Sequence, residues 1–410
     1  MNMEFRQAKL DNGLTIVAEV NPAAASMAAG FFVRTGSRDE TPEVSGVSHF
    51  LEHMMFKGTP RRTAFDVNRE FDAMGANYNA FTTEENTVYF GAVLPSFQTG
   101  LLDLLGDMMR PALRREDFNV EKNVILDEIA RYEDQPRFRV YERLMGQHFQ
   151  GHPLANSILG TTESVRALKL EGMQDYFDRR YSPGNVLAVG VGQVDFTPFV
   201  DKVAEMCASW PSYEVTRATA PFAGTKTRTV IADRKVNREH IGLMSPAPSG
   251  QDETRFAAQL AATIVGDEAG SRLFYALVDP AIADEASMAY DPMDGAGAFL
   301  TFISADADRA AQALQIAQAE FRKFMDEGPS DQEMRAAKNK IASSATLKGE
   351  LPMGRLTAVG FDWVYRKEYI PLARQIEMLF DVTRDQVMEV VRMHDLASAT
   401  VLTLGPLENL

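Results

Sequence analysis

Gly46-Val47-Ser48-His49-Phe50-Leu51-Glu52-His53-Met54-Met55-Phe56 is the stretch from which the rest of the chain is read. It holds the pattern H-x-x-E-H from His49 to His53, and its apolar positions recur at helical spacing, which predicts a helix over 44–56. Residues four apart on a helix lie one above the other, so both imidazoles leave from one face. Two ligands placed this way can grip one tetrahedral metal ion. Glu52 emerges on nearly the same face, where a carboxylate can hydrogen-bond a water held by the ion without being a ligand. Zinc lowers the pKa of such a water from roughly 15.7 to about 7, and the carboxylate takes its proton and later passes it on. Phe50, Leu51, Met54 and Met55 are left to pack the other faces into a core. The competing reading is a helix with two ordinary histidines. The chain has six His, and with so few, chance assembly of this pattern is rare enough that the metal reading is preferred.

A catalytic zinc takes three protein ligands and one water, so a third ligand must come from elsewhere. The predicted helix 115–133 offers Glu121, Asp127, Glu128 and Glu133. Glu121 and Glu128 are seven apart, about two turns, and share a face, whereas Asp127 is rotated about 100° from Glu128. Spacing alone leaves this helix in competition with other acidic helices, and with the plainer reading of a solvated charged face.

Outward from these segments, apolar runs and turn signals predict strands at 14–20, 27–35, 77–82, 87–94 and 185–194. Helices are expected at 64–74, with Thr63 as N-cap and Gly75 as stop, and at 97–109, 115–133, 137–149, 162–168, 170–181 and 197–209. Residues 211–227 carry Pro211, Pro221 and Gly224 among Thr and Ala without a period, and read as a linker. Beyond it, strands are expected at 228–233, 240–245, 299–305 and 399–404. Helices are expected at 254–265, 272–277, 307–327, 332–348, 356–365 and 383–392. Each half runs strands, helices, strand, which favours an α+β fold of two domains, 1–210 and 228–410, as diverged repeats.

The length of 410 residues suits two domains, and 45% hydrophobic with 24% charged residues is a globular composition. The net charge of −15 disfavours nucleic acid and anionic membrane as partners and suits basic peptides better. Cys207, the single cysteine, can form neither an internal disulfide nor a Cys-based zinc site. No apolar run approaches the ~20 residues of a membrane span, and residues 1–10 lack the pattern of a leader, so a cytoplasmic protein without a membrane span is expected. No G-x-x-x-x-G-K-[ST] loop occurs, which removes the usual nucleotide-binding reading.

H-x-x-E-H followed by a glutamate 75 positions after the second His resembles the pitrilysin-type (inverzincin) zinc metallopeptidases. The likeness is greatest to their short branch, which includes mitochondrial processing peptidase β subunits and bacterial relatives. Residues 45–59 are similar to the family signature, Asn79-Ala80-Phe81-Thr82 to its N-A-x-T strand, and 124–132 to the helix of the third ligand. His152-Pro153-Leu154 with Gly160-Thr161 and Ser271-Arg272-Leu273-Phe274 add further matches. The resemblance implies two related α/β-sandwich-like domains, each an antiparallel-rich sheet covered by helices, together forming half of a clamshell. It implies His49, His53 and Glu128 as ligands of Zn2+, Glu52 as general base, and Glu121 as the residue that orients one imidazole. It further implies that Asn79, Ala80 and Phe81 lie on an edge strand that pairs with extended peptide.

The second half departs from the family. Where relatives carry an Arg and a Tyr that hold substrate and oxyanion, the Arg position falls on Val278 or Ala283, while Met288-Ala289-Tyr290 resembles the tyrosine segment. Tyr290 is therefore the expected second-half catalytic donor, and a dimer is expected. The partner is either a second copy or a related chain that brings the Arg/Tyr pair. The implied activity is a zinc endopeptidase acting on extended or unstructured peptides. The alternative is a non-catalytic or partner-dependent subunit, although such chains usually lose one of the motif residues that are intact here.

Overall fold

A computed structural model describes residues 3–217, 219–220 and 222–410. The first sheet is built from β1 (Glu4–Lys9), β2 (Thr15–Val20), β3 (Met27–Val33), β4 (Asn77–Thr82), β5 (Thr87–Val93) and β6 (Val186–Gly192), in the order β1-β2-β6-β3-β5-β4. The second is built from β7 (Arg228–Ala232), β8 (Glu239–Pro246), β9 (Glu285–Pro292), β10 (Gly297–Ala305) and β11 (Thr400–Gly405), in the order β7-β11-β8-β10-β9.

Without β1, the two sheets have the same topology. β2 runs parallel to β6 as β7 does to β11, and every other neighbouring pair is antiparallel in both. The helices follow the same repeat. In the first half α1 (Val47–Met55) and α2 (Ala64–Ala73) lie between β3 and β4. Between β5 and β6 come α3 (Gln98–Met108), α4 (Arg115–Glu133), α5 (Pro136–His148), α6 (Thr162–Ala167) and α7 (Leu170–Arg180), and α8 (Phe196–Cys207) follows β6. In the second half α9 (Arg255–Gly266) lies between β8 and β9. Between β10 and β11 come α10 (Ala307–Glu327), α11 (Asp331–Gly349), α12 (Pro352–Arg366), α13 (Leu372–Asp381) and α14 (Arg384–Met393). The α+β reading with two related helix-covered sheets therefore holds.

The strands divide at 211–227, but the helices do not. One compact unit comprises Met1–Ala130, Asn156–Arg217 and Thr346–Ile370; the other comprises Arg131–Ala155, Ala218–Ala345 and Pro371–Leu410. The domain limits of 1–210 and 228–410 thus need correction by two exchanged segments. The chain changes unit within α4 and again within α11. Of the connecting segment 211–227, residues 218 and 221 lie outside the described residues, and the remainder carries neither helix nor strand.

The physical reason for the exchange is that each sheet must cover both faces. In the first unit β3 is buried along its whole length, as a strand with helices on both sides must be. One face of this sheet packs Val17, Ala28, Phe32, Val88 and Val189 against Leu356 and Val359 of α12. A Cβ on Gly360 would stand 2.3 Å from the Phe32 ring, so only glycine allows α12 to approach this closely. In the second unit α5 does the equivalent work, with Val140 and Leu144 packed against Met244, Phe302 and Leu402. A sequence-local boundary cannot show this, because the apolar stripe of α5 or α12 would fit either sheet.

Three elements were absent from the sequence reading. β1 is a polar edge strand with only Phe5 and Ala8 apolar, β9 is rich in small residues, and α13 follows a proline. The helix expected at 272–277 is instead a π-helix, Phe274–Val278, in which Asp279 N–H reaches the carbonyl of Phe274. Among the described residues no helix is long and apolar enough to cross a membrane.

An ion pair fixes α12 on its sheet. Arg355 donates to Glu19 of β2 with Nε at 2.9 Å, both side chains are nearly inaccessible, and Tyr369 donates to the same carboxylate at 2.8 Å. Removing one partner of a buried pair leaves an uncompensated charge. Arg355→Ala is expected to lower the unfolding free energy by about 3–5 kcal/mol, and Glu19→Ala in that background to recover part of the loss, as read by urea denaturation.

Candidate metal centre

α1 starts at a glycine for two reasons. Gly46 has φ +90°, and a Cβ there would stand 2.7 Å from the carbonyl of Leu159. Glycine has no side chain to cap the helix, so the first-turn amides need another acceptor. Glu40 supplies it: Oε2 accepts from Gly46 N–H at 2.6 Å and Oε1 from Ser48 N–H at 2.7 Å. The Ser48 hydroxyl bonds the Tyr176 hydroxyl at 2.8 Å, and Tyr176 bonds Thr35 at 2.7 Å. Phe50, Leu51, Met54 and Met55 are all buried, as the motif predicted, and so is Val47. Phe50 stacks on Phe118 of α4 with centroids 4.8 Å apart and planes 4° from parallel.

That packing brings the proposed ligands together. His49 Nε2 stands 3.7 Å and His53 Nε2 3.4 Å from Glu128 Oε2. One ligand atom of each residue lies within 4.8 Å of the others. An ion bound tetrahedrally at zinc–nitrogen and zinc–oxygen lengths separates its ligands by about 3.3 Å, so two of these distances are already near the span one ion needs. The residue types suit zinc as well: two imidazoles and a carboxylate are a borderline-soft set with room for water. His49 Nδ1 is buried without a hydrogen-bond partner among the described residues.

Glu121 sits two turns before Glu128 on α4 and accepts from His53 Nδ1, with Oε1 at 2.8 Å. Of the two imidazoles it was expected to orient, it takes His53. Its other oxygen is 2.5 Å from Lys57 Nζ. Glu52 receives a hydrogen bond on Oε2 from Thr82 Oγ1 at 2.7 Å. The sequence reading missed the roles of Lys57 and Thr82. Both stand inside quoted motifs, K-G-T and N-A-F-T, but spacing cannot show which way a strand residue or a post-helical lysine turns.

The charges of the site follow from these contacts. Burial, with the neighbouring His53 charge, pushes His49 down to about 4, against the pull of Glu128. Burial also opposes a charge on His53, but hydrogen bonds to Glu121 and Glu128 outweigh it and raise the group to about 9. Burial thus favours the neutral form of His49, which a ligand must have, while the carboxylates beside His53 favour its charged form. Burial raises Glu52 above the ordinary carboxylate range in spite of the Thr82 bond. Glu121 is held below that range, because the bonds to His53 and Lys57 outweigh burial.

Asn79, Ala80 and Phe81 do lie on an edge strand, since β4 ends the first sheet and pairs antiparallel with β5. Asn79 is exposed and Ala80 buried, and Phe81 packs against Phe90 and Phe361. Tyr290 belongs to the second unit, on β9, and its hydroxyl donates to the carbonyl of Pro248 at 2.8 Å. The His49, His53, Glu128 and Glu52 cluster is built from the first unit alone. Of the two positions where an Arg was sought, Val278 ends the π-helix and Ala283 is buried in the second unit's core.

Residues 15–162, which contain the whole cluster, match the profile described as insulinase, peptidase family M16. Residues 167–341 match the profile described as the peptidase M16 inactive domain. The chain belongs to peptidase family M16. A protein of Streptomyces coelicolor named an uncharacterized zinc protease is 28% identical over 98% of this chain and 90% of its own length. One of Rickettsia felis with the same description is 28% identical over 99% of this chain and 98% of its own. A solved structure of a protease from Helicobacter pylori superposes with a TM-score of 0.91 at 20% identity, covering 98% of this chain and all of that one, which shows the shared fold.

Glu40 gives this M16 chain a measurable pH signature. Burial raises it to about 8 although two backbone amides pull it down, and nearby Asp39 adds to the rise. A raised carboxyl binds more protons folded than unfolded, so its contribution is fully present below the unfolded pKa and is lost as pH climbs through the folded one. Unfolding free energy should therefore decline between about pH 5 and 8 in part through Glu40. Glu40→Gln is expected to flatten that decline in denaturation curves recorded across the range.

Proposed function

We propose that this chain is a zinc-dependent endopeptidase for extended or unstructured peptides. The observation that carries the reading is the convergence of His49, His53 and Glu128 with Glu52 beside them, supported by the zinc-protease naming of relatives that match along nearly the whole chain. His49 and His53 would hold the ion through Nε2 and Glu128 through a carboxylate oxygen, with Glu121 fixing the His53 ring from behind. A bound zinc ion supplies an acidified water and polarises a carbonyl.

The rest is done by the chain. β4 offers its open edge to an extended peptide, whose main chain adds as a further antiparallel strand, so that backbone hydrogen bonds supply affinity and side-chain pockets supply choice. Glu52 accepts the proton of the attacking water and returns it to the leaving nitrogen. Tyr290 is the second-half candidate for holding the oxyanion. The net charge of −15 favours basic peptides.

A second reading is favoured by one observation, the absence of Arg at 278 and 283. In it the chain binds zinc but cleaves only with a partner: a related chain that brings an Arg/Tyr pair, or a second copy that uses Tyr290 with another cation.

Metal analysis of the purified chain is expected to find one zinc, lost in His49→Ala and in Glu128→Ala. Glu121→Gln should weaken zinc binding by about 10–100-fold. Glu52→Gln should keep the metal while cleavage of an unstructured basic peptide falls by about 10²–10⁴-fold. Zinc binding with cleavage only after a partner chain is added would select the second reading. Failure to bind metal near stoichiometry would sink both.

A further inference from the structure

Glu52 stands on a helix with three torsions between its carboxylate and the backbone, so α1 alone does not set the direction of its lone pairs. The structure supplies the missing constraint from β4. Thr82 is the last residue of that strand and donates Oγ1–H to Glu52 Oε2 at 2.7 Å. Alternation along β4 explains the aim. Tyr78 stacks on Phe71 at 3.8 Å and lies beside Phe56, so Tyr78, Ala80 and Thr82 share the face toward α1, while Phe81 turns to Phe361 on the other.

The turn that follows Thr82 is clamped. Thr83 N–H donates to the carbonyl of Asn86, and Thr83 Oγ1 accepts from Glu85 N–H and Asn86 N–H. Glu85 is buried and paired with Arg38 at 2.5 Å. Tyr365 of α12 donates to its other oxygen at 2.9 Å and accepts from the Asn86 side chain at 3.1 Å. A Cβ on Gly36 would stand 2.3 Å from the Thr83 carbonyl, so the loop carrying Arg38 lies directly on the turn. A carboxylate buried this deeply is tolerated only where its partners hold it, which ties the turn to Arg38 and Tyr365.

We propose that Thr82 is the positioning residue for Glu52: it fixes the carboxylate through Oε2 and leaves Oε1 for water, and the Arg38–Glu85–Tyr365 clamp holds Thr82 in place. The inference rests on the zinc-peptidase reading and deepens it. One rigid strand then sets two registers at once, that of a peptide on its open edge and that of the base on its inner face. Misalignment of a catalytic group by about 1 Å can cost about 10²-fold in rate, so a single hydroxyl suffices to matter.

The test uses the full chain loaded with zinc and an unstructured basic peptide, with zinc affinity read separately by competition with a chelator. Thr82→Val is expected to lower kcat by about 10–100-fold, with KM and zinc affinity within about twofold of the parent. Thr82→Ser should restore most of the loss, because it returns the donor. Tyr365→Phe should lower kcat in the same direction by less. Should Thr82→Val not fold, Thr82→Ala gives the same comparison. An unchanged kcat, a parallel loss of zinc affinity, or no rescue by serine overturns the role of Thr82, and an unchanged kcat in Tyr365→Phe overturns the clamp. Glu52→Gln separates the two levels. If it cleaves like the parent, or if the parent binds zinc and cleaves no peptide, the functional reading fails and takes this inference with it. If Glu52→Gln is inert while Thr82→Val is fully active, only the inference on Thr82 fails.

Discussion

The stack of Phe50 on Phe118 sets α1 against α4, and the chemistry of the site depends on that contact. Neither helix holds a complete ligand set. α1 brings two imidazoles in the correct mutual register because they are one turn apart, and α4 brings Glu128 with Glu121 two turns before it. Only when the helices are held close do Nε2 of His49, Nε2 of His53 and a Glu128 oxygen fall within one ion's reach. Two flat rings packed face to face fix both distance and rotation, which an aliphatic contact does less strictly. Glu40 adds the axial constraint by holding the amides at the start of α1.

Around this contact the polar groups are arranged in pairs, each with a reason in burial. Lys57 pairs with Glu121, Glu121 fixes His53, Arg38 pairs with Glu85, and Arg355 pairs with Glu19. Each is a charge that would be unfavourable alone in a poorly solvated place and becomes a positioning device once partnered. The α12 helix shows how far along the sequence such devices reach. It begins about 300 residues after the metal motif, yet in the first unit it supplies Arg355 to β2 and Tyr365 to the turn behind Thr82.

The repeat explains why the exchange of α5 and α12 is reciprocal. Both follow a 19-residue helix that begins in one unit and ends in the other, and both pack on one face of a sheet with the same strand pairing. Among the described residues, the His49, His53 and Glu128 cluster has no counterpart in the second repeat. Its helix after the second strand, α9, reads R-F-A-A-Q-L-A-A-T-I-V-G and spends every inward position on apolar packing. Family membership fits this asymmetry, since one half matches the insulinase profile and the other matches a domain described as inactive.

The sequence by itself determined what depends on neighbours along the chain. H-x-x-E-H on an apolar helix, the Glu121–Glu128 spacing, the Thr63 cap, most strands and helices, and the change of composition at 211–227 are local patterns with local physical causes. The paired imidazoles were legible because helical geometry puts residues four apart on one face, whereas Glu128 was singled out by the family resemblance, since spacing left its helix in competition with other acidic helices. Tertiary structure alone decided which histidine Glu121 holds, that Lys57 and Thr82 belong to the site, that Glu40 caps a helix six residues downstream, and that 131–155 and 346–370 cover the opposite sheets. Those facts turn on which surfaces meet across long stretches of chain. An apolar stripe or a hydroxyl records that it needs a partner, and packing chooses which one.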